Sequence, residues 1–129
     1  MSAANTANSA YGSAKIAVNS PRMIEYQAFA KVTAHLSRLA AEEKPHYPDL
    51  VAALHENRRL WTVIAADVML DGNPLPELLR AQLFYLAEFT RDHTTKVMKG
   101  KATATPLIDI NTSVMKGLRA RPEAASCPA

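Results

Sequence analysis

LVAALHENRRLWTVIAADVMLD, residues 50–71, carries the only tryptophan of the chain and decides how the rest is read. Its apolar residues, Leu50, Leu54, Trp61, Ile64 (or Ala65) and Val68, recur at helical spacing. Wound as a helix, the stretch has one apolar stripe with Asn57 near its middle. Trp61 falls one turn beyond Asn57 on the same side. A helix this apolar on one side must be covered by something. A buried amide is costly unless bonded, so Asn57 either fixes the register of a core or bonds to a partner's backbone.

The flanking segments are built to provide that cover. Ser20-Pro21 is a helix start, a hydroxyl cap followed by proline where its missing N–H costs nothing. Ile24, Phe29 (or Ala28), Val32, Leu36 and Leu39 then form a stripe running to about Glu43. Residues 44–48, KPHYP, break that helix, and Pro48 sets the first turn of the next. The central helix stops at Asp71-Gly72-Asn73-Pro74, a turn in which Gly72 is free to take positive φ. Pro76 and Glu77 open a third long helix. Its stripe is Leu79, Leu83 (or Gln82), Leu86, Phe89 (or Thr90), His93 and Val97, and Gly100 closes it.

Residues 101–106 read as a linker. Leu107, Ile108, Ile110, Val114, Met115 and Leu118 predict a short helix over 109–116, with an extended 107–110 as the alternative. Before the first long helix, residues 9–18 read either as a short docking helix or as a frayed terminus. The expectation is an all-α fold: a small antiparallel helical bundle of three long helices with short N- and C-terminal flanking helices. The domain is expected to span 9–119, with a flexible tail at 1–8 and a disordered tail at 120–129.

Composition narrows the function classes. At 129 residues, 48% of them hydrophobic, one packed core is expected. Aromatics at 6%, with abundant alanine, favour close helix packing over a sandwich. A net charge of +3 allows an acidic partner without demanding nucleic acid. The single cysteine, Cys127, excludes an intrachain disulfide and fits a reducing compartment. With no signal-peptide pattern and no apolar run long enough for a bilayer, the expected location is the cytoplasm, away from membranes.

No constellation for catalysis stands out. His35, His46, His55 and His93 share no metal-ligand spacing on one helix face, so no metal and no cofactor is expected. The serines lie in tails and loops without an elbow motif, and Cys127 has nothing near it to lower its pKa. Asp67 and Asp71, one turn apart, read as solvated or capping groups. No glycine-rich phosphate loop is present. The densest charged patch, His55-Glu56-Asn57-Arg58-Arg59, lacks the interleaved aromatics of a nucleic-acid reader.

Four blocks carry a resemblance. Ser20-Pro21-Arg22-Met23-Ile24-Glu25 resembles the opening S-P-R-x-x-E of the flagellar biosynthesis regulator FlaF family. Asn57-Arg58-Arg59-Leu60-Trp61-Thr62, with Asp67 following, is similar to its N-R-x-L-W block. Leu75-Pro76, Leu79-Arg80-Ala81 and Leu107-Ile108-Asp109-Ile110-Asn111, closing on Gly117-Leu118, resemble its later blocks. They come in family order across residues 11–118. The resemblance implies a non-enzymatic protein that binds flagellin as its export chaperone and promotes flagellin synthesis. It implies FlbT, a repressor acting on flagellin message, as a second candidate partner.

An amphipathic flagellin helix would suit an apolar groove with anchors at i, i+3, i+4 and i+7. The expected groove uses Tyr26, Phe29, Trp61, Ile64 and Phe84, with Asn57 and Arg58 on its rim. The same residues would serve equally well as core. The rival expectation is a regulator touching RNA through Arg58, Arg59 and the lysines of 96–101, and a third is a bundle that pairs with itself.

Overall fold

The protein is described by a computed structural model over residues 21–120. The expected N-terminal tail, the short helix over 9–18 and residues 121–129 lie outside the described residues. Four helices follow one another: α1 Pro21–Ala40, α2 Tyr47–Val68, α3 Glu77–Met98 and α4 Thr105–Ala120. No strand occurs among the described residues.

All four begin with proline in or beside the first turn, where its fixed φ suits the helix and its lost N–H was unbonded anyway. The turn after α2 does not use glycine as expected. Gly72 has no positive φ, and Asn73 organises the bend instead. Its Nδ2 donates to the Asp67 carbonyl and to Asp67 Oδ2, both at 3.1 Å, and its Oδ1 accepts from Leu75 N at 2.9 Å. Gly100, at φ +72°, does close α3 as expected. Gly100 N donates to the Val97 carbonyl at 3.0 Å and Lys101 N to the Lys96 carbonyl at 2.8 Å, the paired bonds of a Schellman cap.

Successive helices run antiparallel. Phe29 meets Trp61 while His35 Nδ1 donates to Glu56 Oε1, so α1 and α2 pair in reverse order. Tyr47 Oη donates to the Met98 carbonyl at one end of the α2–α3 pair, and Arg80 reaches the Val68 carbonyl at the other. His93 Nε2 donates to Thr103 O at the α3–α4 turn. α2 packs on α1 and α3, and α4 lies mainly on α1; the seam between α3 and α4 is the shortest of the four.

The last helix departs from expectation. It starts at Thr105 rather than near Asp109 and runs to Ala120, so residues 107–110 are helical. Pro106 sits in its first turn, while Leu107 N and Ile108 N both donate to the Ala104 carbonyl. The supposed linker therefore ends in a helix start. The phase of α3 also differs from the apolar count. Ala87, Thr90, Thr94 and Val97 are buried, and Phe89 stays 38% exposed, stacked on His93 at 5.4 Å.

Two apolar clusters make the interior. Leu36, Leu39, Ala53, Leu54, Val97, Ala104 and Leu107 fill one end. Phe29, Trp61, Ile64, Val68 and Ala87 fill the other. Between them in residue order lie the buried polar residues: Thr33 of α1, Asn57 of α2, Thr90 and Thr94 of α3, and Asn111 of α4.

Candidate partner groove at one end of the bundle

The polar layer is wired through Asn111. Its Oδ1 accepts from Trp61 Nε1 at 2.9 Å. Its Nδ2 donates to Asn57 Oδ1 at 2.8 Å and to Thr33 Oγ1 at 3.1 Å. One amide thus ties α4 to α1 and to α2 twice, using charge-free bonds whose partners are all buried. Thr94 Oγ1 donates within α3 to the Thr90 carbonyl at 2.6 Å. Asn57 Nδ2 and Thr90 Oγ1 are buried without a protein partner.

Asn57 is therefore no rim residue. It is completely buried because its amide belongs to this layer, the register-fixing alternative read from the stripe. Trp61 is 1% exposed, packed edge-on against Phe29 with ring centroids 5.6 Å apart. No trough opens at the indole itself. Phe29, Trp61 and Ile64 form one buried cluster, and Phe84 packs against it half-buried. Tyr26 and Arg58 are half-buried outside that cluster, and the Arg58 carbonyl accepts from Thr62 Oγ1 at 2.9 Å. The sequence reading missed Asn111, although it falls on the stripe of Leu107 just as Asn57 falls on that of Trp61.

Around this cluster the bundle is incompletely covered. From Glu77 to Leu86 no residue of α3 is buried, and none is from Thr112 to Leu118 of α4. These two stretches face the same end of the antiparallel pair. Leu83, Phe84 and Leu86 on one side and Val114, Met115 and Leu118 on the other all pack half-buried against the Phe29–Trp61 cluster. Together they make an apolar strip of partly exposed side chains laid over that cluster, which is itself buried beneath them. Beside it on α3, Leu78 and Tyr85 stand 71% and 69% exposed, and Ala81, Gln82, Tyr85 and Leu86 line a shallow depression. Residues 78, 82, 85 and 89 share one helix face by spacing.

The basic residues do not gather at this strip. Lys96, Lys99 and Lys101 lie exposed around the C-terminus of α3, at the other end. Among the described residues no group of His, Cys, Asp and Glu is placed to hold a metal ion. No described helix is long and apolar enough to cross a membrane.

A model of the family described as flagellar protein FlaF matches residues 7–118. The chain belongs to the FlaF family. The match takes in the four described helices, stopping two residues short of the end of α4. No curated protein and no solved structure matches the chain. The FlaF-like blocks at residues 57–62 and 107–111 are far apart in sequence, and they meet in the hub, where Asn57, Trp61 and Asn111 bond to one another. Family membership makes this a flagellar protein.

Proposed function

We propose that this FlaF-family protein binds flagellin, holding one of its amphipathic helices along the apolar strip between α3 and α4, and so acts as its export chaperone and a positive regulator of its synthesis. The observation that carries this reading is the set of partly exposed apolar side chains at one end of the described bundle. Six half-buried apolar side chains flank a buried aromatic floor, on two helices that meet over the shortest seam. A helix laid there with anchors at i, i+3, i+4 and i+7 would bury them. Covering that face of flagellin would also block the filament contacts made by the same apolar stripe. Phe29, Trp61 and Ile64 serve as floor and Phe84 as wall; Asn57 acts from below, by fixing the layer on which the floor rests.

The test is co-purification and calorimetry with full-length and end-truncated flagellin. Binding is expected to depend on one terminal segment, to show a negative heat-capacity change, and to change little with salt. Steep loss of affinity with salt, with RNA preferred over flagellin, would instead indicate phosphate contacts by Arg58, Arg59 and the lysines near Gly100. No association with flagellin of any length removes the chaperone reading.

A further inference from the structure

The two halves of α4 are held very differently. Its entry is anchored: Ala104, Leu107 and Asn111 are 6%, 0% and 0% exposed, and Asn111 carries three hydrogen bonds into α1 and α2. Beyond Asn111 no described side chain is buried. Val114, Met115 and Leu118 lie half-buried on the aromatic cluster and are the only large apolar residues of that half. Local opening is easiest where few buried contacts hold a segment.

The composition of this half weakens it further. Thr112, Ser113, Val114 and Gly117 are poor helix formers. The Thr112 hydroxyl donates to the Ile108 carbonyl at 2.8 Å, a back-bond that competes with the helix ladder. Gly117 answers no packing need, since a Cβ there meets nothing within 4 Å, and it has no positive φ. Relative to alanine it lowers the local helix equilibrium by about threefold to fivefold. On the far side, α3 presents a wall that touches α4 only lightly.

We infer that the second half of α4, from Thr112 onward, is a hinged wall that swings outward about the Asn111 anchor and widens the strip, so that the partner helix seats between it and the α3 wall. This rests on the flagellin reading above and names the moving part of the same site. The polar layer sets the limit of the movement: opening past Asn111 would strand the Trp61 N–H and the Asn57 amide, whereas opening up to it leaves the three bonds of Asn111 in place.

Hydrogen exchange on the full chain, free and with flagellin, tests this with Gly117→Ala and Ser113→Ala. Ser113 is exposed, so its variant raises helix preference without adding bulk to the strip. In the parent protein, amides 114–120 should exchange far faster than amides 107–111. Each variant should slow that exchange and weaken flagellin binding by a matching factor, about threefold for Gly117→Ala, while raising Tm. Equal protection in both halves of α4 overturns the hinge. Slowed exchange with unchanged flagellin affinity overturns its role in entry. Fast exchange in 114–120 with no flagellin binding by any of the three proteins removes the flagellin reading instead.

Discussion

Asn111 makes three side-chain hydrogen bonds from a site with no exposure, and each partner is itself buried. Removing a buried partner costs more than the bond contributed, because the groups left behind stay desolvated. Asn111→Leu keeps the branched shape, with somewhat more bulk, but orphans the Trp61 N–H and Asn57 Oδ1. It should cost about 2–4 kcal/mol in urea unfolding followed by the fluorescence of Trp61. The effect of Asn57→Ala should shrink by about 1 kcal/mol or more in the Asn111→Leu background, since the two residues share a bond. The buried threonines differ in the same terms. Thr33→Val removes an acceptor that Asn111 uses and should destabilise by about 1 kcal/mol. Thr90→Val removes a hydroxyl that has no protein partner, so it should be neutral or stabilising. Equal losses for both in the same urea titration would mean that the layer is not wired through Asn111.

At the scale of elements, helix ends were legible where backbone chemistry decides them. Proline starts at residues 21, 48 and 76 and the glycine stop at Gly100 all fall within a residue or two of the observed boundaries. Two ends were misread, one decided by a side chain and one by a proline that the linker reading passed over. Asn73 turns the chain after α2, and Pro106 opens α4 inside what reads as a linker. The stripe of α2 was legible because its buried residues are large. That of α3 was legible only in part: Val97 is buried, and of the pair Phe89 or Thr90 it is Thr90 that is buried, but the small Ala87 and the hydroxylated Thr94 are passed over by an apolar count. The candidate site suffered from the same ambiguity. Phe29, Trp61, Ile64 and Phe84 pack together, but periodicity says only that a face is covered, not whether its own chain covers it. The end chemistry gives a paired prediction. Gly100→Ala must hold φ near +72° with a Cβ and should cost about 1–2 kcal/mol in thermal unfolding. Gly72→Ala meets no atom within 4 Å and needs no positive φ, so it should change stability by no more than about 0.5 kcal/mol.

For the molecule as a whole, the polar layer divides two cores of unequal closure. The cluster around Leu36, Leu54 and Leu107 contains four side chains with no exposure at all, Ala53 being the fourth. The cluster around Trp61 is ringed by half-buried ones. Cavity cost scales with how completely a site is enclosed, so equivalent truncations should differ between the ends. Leu54→Ala should lose about 3–5 kcal/mol, near the upper range for a sealed leucine. Leu83→Ala, half-buried on the α3 wall, should lose about 1 kcal/mol. Under the proposed flagellin binding the comparison should reverse. A ligand that binds only the folded state stabilises by RT ln(1 + [L]/Kd), so the gain in Tm on adding flagellin reports the affinity of each variant. Leu54→Ala leaves the strip intact and should keep the parent's full gain. Leu83→Ala removes part of a wall and should keep noticeably less, although it is the more stable protein alone. If both variants gain equally, the partner is held elsewhere on the bundle, and the open end between α3 and α4 is only a thin place in the fold.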